Sequence, residues 1–599
     1  MCGIFGMFLN RPLSMQDIDS ARTVLDSIAH RGRDGQGEWI DQKKGVYLGH
    51  QRLSIIDLSH SSDQPLIRDG NAFIYNGELY NFQVLRKELE KQGVSFISDG
   101  DGEVLMQGFQ HWGNKVFDRV DGMFALAHWD GNKGTIAVDA FGEKPLFIAQ
   151  TKDGVYFCSE IRPLAKLLGK SPSLSEMGWV SYLSLGFIPQ PETFFPGIEM
   201  LPPGTWRNII NGQLKQINTY WSPPKAGLKG KHFKPVTEKE LDKLVEAVCK
   251  GLENRLLTDV PLALFLSAGV DSSLVASLCR FELNKELHCL TLGFKDSTTI
   301  RDESETASRI AAHLGFEHQV LENNSDINIS RLTELLGQPT GTVGILSLEQ
   351  ISAKARSIGY KVAITGMGGD EVTAGYAKHA YIWRLRWLYR LPWNIRKLLG
   401  SVLSKFSSRY GGPASLLLPY DTEVYLAVKN YPALACLRSL PSYKDWLDKG
   451  FCSSGKPFEV DIPYYELTKV MPSVHLYTSD HASMRHGLEL RTPFLNRKVV
   501  ETVAEWDARS LVAYGQKSVL RRILSRYLPE ELFSQPKTGF SYPRELFTNN
   551  VNLGKLPGIH SDISDSIWER RGLGNGWLTI AVRLAVADNF FSDWASSES

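Results

Sequence analysis

The rhythm of apolar residues changes once along this chain, and that change limits the fold more than any other feature. Up to about residue 165 the apolar residues come in short alternating runs between turn signals. Examples are GVYLGHQRLSIIDL (45–58), NAFIYNGELY (71–80), GMFALAHWD (122–130) and GVYFCSE (154–160). A period of two marks strands that bury one face. A helical stretch, FQVLRKELEK (82–91), intervenes. The segment SPPKAGLKGKHFKP (222–235), rich in Pro, Gly and Lys, reads as a surface linker. Beyond it, TEKELDKLVEAVCKGLENRL (237–256) sets Leu241, Leu244, Val245 and Val248 on one helical face. Apolar strands PLALFL (261–266), LHCLTLGF (287–294) and KVAITG (361–366) then alternate with helices, the pattern of a parallel α/β sheet. The expected fold is an α+β layered sandwich over 2–165, a connecting segment over 166–235, and an α/β parallel-sheet domain with a largely helical C-terminal part over 236–599. A chain of 599 residues exceeds what one core supports.

The net charge of +1 offers no electrostatic case for nucleic acid or for an acidic membrane. Cysteines stand at 2, 158, 249, 279, 289, 436 and 452, spaced neither as a disulfide framework nor as a zinc knuckle. Reduced thiols and a cytoplasmic location are the expectation. No basic segment followed by an apolar run opens the chain, and no long apolar stretch occurs, so neither a signal peptide nor a membrane span is expected.

Three short stretches carry chemistry. MCGIFG (1–6) puts Cys2 behind Met1. Cysteine is small enough to permit removal of Met1, which would leave a thiol and an α-amine on one residue, the amine a base for the sulfur directly or through water. PLALFL runs into SAGVDSS (267–273) and a helix. Backbone N–H groups at a helix start cradle phosphate, and Ser267, Ser272 and Ser273 add hydroxyls. Asp271 is unsuited to phosphate directly but suited to a bridging Mg²⁺. No GxxxxGK[ST] occurs, so this is not a Walker loop. TGMGGDE (365–371) follows another apolar strand and supplies Asp370 as a second carboxylate.

With these motifs the chain resembles the glutamine-dependent asparagine synthetases over nearly its whole length. The shared motifs occur in the family's order: HRGRDGQG (30–37), HQRLSIIDLS (50–59), QPL (64–66), YNGELYN (75–81), DGEVL (101–105), FGEKPL (141–146), LPPG (201–204), LSAGVDSS (266–273), TGMGGDEVTAGY (365–376), SMRHGLELRTPFL (483–495), KSVLRR (517–522) and QPKTGFSYP (535–543). The resemblance implies an N-terminal-nucleophile glutaminase domain joined to an ATP-pyrophosphatase synthetase domain. Cys2 would attack the glutamine amide, with Asn76 and Gly77 as oxyanion hole; Asn-Gly is also a favoured hairpin turn in its own right. Arg52 would hold the glutamine carboxylate and Asp101 the ammonium, with Leu53, Ser54, Ile55, Ile56 and Glu78 lining the pocket. In the synthetase half, Ser267, Gly269, Asp271 and Ser272 would hold pyrophosphate, and Leu266, Leu292, Thr365 and Gly366 the nucleoside. Asp271 and Asp370 would bind Mg²⁺, and Lys537 would offset charge on the α-phosphate. Glu489 and Arg521 are acceptor-side candidates for holding the site together. The implied substrates are glutamine, ATP and a carboxylic acid, joined through an acyl-adenylate with ammonia carried by an internal tunnel. Aspartate is the family's acceptor. A uronic acid, a glycan precursor or a secondary-metabolite acid is the alternative, and a non-catalytic scaffold the remote one. A homodimer is left open.

The chain departs from the family pattern at several places. Arg33 replaces the proline of RGPD, and Ala268 replaces the first glycine of SGGxDS, which a negative φ would tolerate. Met367 stands where an acidic residue is usual, Asn496 where PFLD has its acid, and Gly337-Gln338-Pro339 where DEP is usual. These changes read as a cluster on the acceptor side. YIWRLRWLYRLPWNIRKLLG (381–400) is basic and aromatic, suited either to core packing with arginines reaching solvent or to a weak membrane-surface or partner contact.

Overall fold

The computed structural model describes residues 2–227, 234–294, 302–323, 329–389, 391–392, 394–396, 398–399, 432–449, 458–534, 547–548, 554, 556–559, 561–573 and 575–598. The N-terminal half is a four-layer sandwich, helix–sheet–sheet–helix. One antiparallel sheet runs Ile198–Met200, Phe147–Gln150, Gly154–Cys158, Gly3–Leu9, Val46–Arg52, Gly35–Asp41. The other runs Gln213–Thr219, Thr205–Ile210, Gly134–Val138, Gly122–Trp129, Asn71–Leu79, Leu66–Arg68. Ile4, Phe8, Val46 and Leu48 from the first interlock with Ala72, Ile74, Ala125 and Ile136 from the second. Helix Met15–Ser27 covers the outer face of one sheet, and Phe82–Lys91 with Asp101–Trp112 covers the other. Residues 198–219, inside the expected connecting segment, add strands to both sheets.

The linker gives way to helix Glu238–Arg255, capped reciprocally by Thr237 and Glu240. Its Leu241, Leu244, Val245 and Val248 are buried, as the periodicity requires. A five-stranded parallel sheet follows, ordered His318–Glu322, His288–Gly293, Leu262–Phe265, Val362–Ile364, Glu489–Arg491. The chain order reverses between Leu262–Phe265 and Val362–Ile364. That is a topological switch point, where open α/β sheets hold ligands. The remainder is mostly helical, ending in helix Asn575–Glu598.

Helix Ala377–Tyr389 carries the start of the basic aromatic stretch. Ile382 and Trp383 are buried, with the Arg386 guanidinium 3.4 Å from the Trp383 ring centre, whereas Trp387 is exposed. Packing and exposure are thus divided between residues of one helix; Arg390, Trp393, Lys397 and Gly400 lie outside the described residues. Among the described residues no helix is long and apolar enough to cross a membrane, and Cys2, Cys158, Cys249, Cys279, Cys289 and Cys436 are free thiols.

Candidate active sites at two ends of a domain interface

The first cavity lies where the two N-terminal sheets meet. Cys2 immediately precedes strand Gly3–Leu9 of one sheet, and Asn76 sits in strand Asn71–Leu79 of the other. The Cys2 N–H donates to Asn76 Oδ1 at 2.9 Å, and the Cys2 carbonyl accepts from Arg31 Nε at 3.2 Å. Burial pushes the Cys2 thiol up, so the sulfur needs a base to become a nucleophile. Asn76-Gly77 is not a hairpin turn. Both residues lie mid-strand, opposite Ala125 and Phe124. Asn76 Nδ2 is buried with no hydrogen-bond partner, a donor fit for charge arising on a neighbouring oxygen.

The cavity brings together Cys2, Arg52, Leu53, Ser54, Ile55, Ile56, Gly77, Glu78 and Asp101. Residues 53–58 extend the expected strand in sequence but leave the sheet, and so form a wall. Arg52 Nη1 donates to Ser59 O at 2.9 Å and Asp63 Oδ1 at 2.6 Å, which fixes the guanidinium. Asp101 opens its helix and accepts from Leu79 N at 2.7 Å and Tyr75 OH at 3.0 Å. Burial raises its carboxyl to about 6. Burial and the neighbouring Glu489 raise Glu78 well above the usual carboxylate range. Gln64 and Tyr75 also line the cavity; QPL and YNGELYN contain them, but neither motif discloses a role.

The second cavity, about 410 Å³, opens at the switch point. Leu266, Ser267, Gly269, Asp271, Ser272, Leu292, Thr365, Gly366, Met367 and Asp370 all line it. The two loops touch: a Cβ on Gly366 would stand 2.5 Å from Ser272 N, so only glycine allows this approach. Ser267 and Ser272 hydroxyls are 2.9 Å apart, and Ala268 keeps a negative φ, so its methyl is tolerated. Asp271 and Asp370 converge on one ammonium, Lys517 Nζ, which is 2.9 Å from Asp370 Oδ1 and paired also with Asp271 Oδ2. Two hard carboxylates gathered on one cation are donors of the kind that would hold Mg²⁺. Among the described residues no group of three or more acidic, His or Cys side chains could replace that arrangement.

In the sequence Lys517 is only the first letter of KSVLRR. Glu371, Tyr376, His475 and Ser479 also line the cleft, and no spacing in the sequence marks them for that role. Tyr376 OH donates to Glu371, whose carboxyl burial raises to about 7, and His475 Nε2 is 3.6 Å from Glu371 Oε1. Met367 accepts a 3.6 Å contact at Sδ from Ser479 Oγ.

Four expected acceptor-side positions lie elsewhere. Glu489 sits in the edge strand with Arg491 Nε at 2.6 Å, and Arg521 donates to Phe533 O at 2.7 Å; neither lines the cleft. Asn496 caps helix Arg497–Ala504 through Lys498 N at 2.8 Å and reaches Asp121 across the interface at 3.3 Å. Gln338 accepts from Phe194 N. The family departures therefore do not cluster: of Met367, Asn496 and Gln338, Met367 alone faces the cleft. Lys537 lies outside the described residues.

Residues 1–221 match the family described as glutamine amidotransferase domain, and residues 242–551 the family described as asparagine synthase. A putative asparagine synthetase [glutamine-hydrolyzing] of Mycobacterium tuberculosis is 29% identical over 585 residues, covering 91% of this chain and 88% of its own. Asparagine synthetase [glutamine-hydrolyzing] 1 of Bacillus subtilis is 28% identical, covering 92% and 89%. Amidase chry2 of Gibberella zeae is 26% identical, covering 95% and 92%. With an amidotransferase domain ahead of an asparagine synthase domain that spans more than half its length, the chain belongs to the asparagine synthase family and is an amidotransferase of the ligase type.

Proposed function

We propose that the chain hydrolyses glutamine at Cys2 and uses the ammonia to amidate a carboxylic acid activated by ATP, with AMP and pyrophosphate released. The observation that carries this reading is the apolar cluster packed between the glutamine cavity and the strand that leads into the synthetase cleft. Leu53 and Ile55 from the glutamine side pack with Tyr80 and Met123 against Val362 and Met484, and Val362 starts the strand that runs into the Thr365–Met367 loop.

On the glutamine side, the α-amine of Cys2, freed of Met1, takes the thiol proton. Sulfur attacks the amide carbon, and Asn76 Nδ2 with the backbone at Gly77 stabilises the oxyanion. Ammonia leaves, and water releases glutamate. Asp101 holds the substrate ammonium only when ionised. As pH falls through about 6 its carboxyl takes up a proton and the pairing is lost. The expected profile is a loss in kcat/KM for glutamine of about tenfold per pH unit on the acid side. Asp101→Asn should flatten that limb while lowering the plateau.

On the synthetase side, Ser267, Ser272 and the helix start at Gly269 orient the phosphates, and Asp271 with Asp370 would hold Mg²⁺. The metal would neutralise charge between the α- and β-phosphates. The acceptor carboxylate attacks the α-phosphorus and displaces pyrophosphate. Ammonia then attacks the acyl carbon and AMP leaves. The partly enclosed cleft keeps bulk water from the adenylate.

Aspartate, giving asparagine, is the acceptor that family membership favours. Met367 favours a second reading, a different carboxylic acid, because a thioether pairs with neither an ammonium nor a carboxylate. Leaving such a group unmatched costs ~1–3 kcal/mol. Pyrophosphate release with glutamine, ATP, Mg²⁺ and a panel of amino, uronic and other biosynthetic acids decides between them. Met367→Glu is expected to raise kcat/KM for aspartate about tenfold. An unchanged value would move acceptor choice to other cleft residues.

A further inference from the structure

We infer that Arg491 is a positioning residue that couples nucleotide occupancy of the synthetase cleft to glutamine binding beside Cys2. The inference rests on the amidotransferase reading and extends it. Arg491 ends the edge strand of the parallel sheet and is wholly buried at the domain interface. Its Nε donates to Glu489 Oε1 at 2.6 Å, and Nη1 donates to Arg255 O at 2.7 Å and Leu257 O at 2.6 Å. Nη2 makes no hydrogen bond. It stands 3.7 Å from Glu78 Oε1, and Glu78 Oε2 is likewise buried without a partner. Glu78 lines the Cys2 cavity. At its other end, the Arg491 carbonyl accepts from Thr365 N at 3.0 Å, and Thr365 lines the synthetase cleft. One residue thus touches a lining residue of each cavity, by side chain at one and by backbone at the other.

Two carboxylates share this guanidinium unequally, which gives it two arrangements. In the one observed, it rests on Glu489. In the other, Nη2 moves about 1 Å, to the roughly 2.8 Å of a charge-assisted hydrogen bond with Glu78. A glutamine ammonium beside Glu78 and Asp101 favours the ionised form of Glu78 and draws the guanidinium toward it. A nucleotide against Thr365 and Gly366 fixes the Arg491 carbonyl. Both ligands bias the same element, so each must change the other's affinity by the same factor.

The full chain carrying Cys2→Ala, which retains the glutamine pocket without the nucleophile, provides the test. The probe is the Mg²⁺ complex of α,β-methylene-ATP, titrated calorimetrically with and without saturating glutamine. Glutamine is expected to tighten nucleotide binding about fivefold or more. Adding Arg491→Lys should shrink that factor below about twofold while leaving the Kd without glutamine little changed. Should the lysine variant fail to fold, Glu489→Gln, which takes away one of the two competing carboxylates, is expected to lower the factor as well. A parent with no coupling, or a folded variant of either kind with the parental factor, overturns the inference. A parent that binds neither glutamine nor nucleotide contradicts the amidotransferase reading instead.

Discussion

Cys2→Ala is expected to lower glutamine-dependent amide formation by roughly four orders of magnitude or more while leaving synthesis from added ammonium salts near the parental rate. The reason is geometric. Cys2 is held at the start of its strand by Asn76 Oδ1 and Arg31 Nε, so alanine keeps the backbone and removes only the sulfur. The synthetase cleft draws on none of these residues. Intact-mass measurement should also show Met1 removed, because the buried thiol needs the α-amine as its base. Full glutaminase activity in a protein that retains Met1 would refute the assignment.

The second large effect concerns the carboxylate pair. Asp271→Asn and Asp370→Asn are each expected to cost about two to four orders of magnitude in pyrophosphate release, since several kcal/mol of transition-state charge stabilisation rest on the metal they would hold. Glutamine hydrolysis without ATP should persist in both variants. Lys517 shows why neither substitution leaves a simple vacancy. Its ammonium pairs with both carboxylates, so one charge serves where the metal would add two. Loss of glutaminase and synthetase activities in parallel would point to a folding defect, which a thermal unfolding scan separates from lost chemistry.

The readable parts of this molecule are those in which local pattern and tertiary role coincide. The strand–loop–helix units at SAGVDSS and TGMGGDE declare themselves because buried strands, glycines and a helix start are contiguous in sequence. Their pairing follows from sheet order, and Gly366 against Ser272 N supplies the close approach that the glycines suggest. Most of the glutamine pocket is readable through the motifs shared with the family. What stays hidden depends on separation in sequence. Lys517 lies 246 residues from Asp271 and reaches it from a left-handed backbone, φ 55°, that no periodicity marks. Asn496 resembles a lost acceptor contact only until its place as a helix cap is seen. Arg491 and Glu78, 3.7 Å apart, belong to different domains and different motifs. Strands Thr205–Ile210 and Gln213–Thr219 pair with each other as neighbours in the chain, but Thr205–Ile210 joins the sheet through Gly134–Val138, which ends some seventy residues earlier.

Met367 sits in a cleft of mixed character. Its neighbours in the cleft, Glu371, Tyr376 and His475, are polar and mutually connected, whereas Phe265, Leu292, Ile345 and Leu348 make the remaining wall apolar. A cleft with one charged corner and one greasy wall would suit a nucleoside on the apolar side, and we propose that the acceptor lies near the charged corner.

On the proposed function, one chain moves glutamine's amide nitrogen onto an acid activated as its adenylate. Nitrogen and phosphorus NMR on one reaction mixture tests it most directly, using wild-type protein, amide-¹⁵N glutamine, Mg²⁺-ATP and the acceptor found by the pyrophosphate screen. AMP and pyrophosphate are expected in equal amounts, with the ¹⁵N label recovered in a new acceptor amide in the same proportion. ADP and phosphate as products, or AMP and pyrophosphate without label in any amide, would contradict the proposed function.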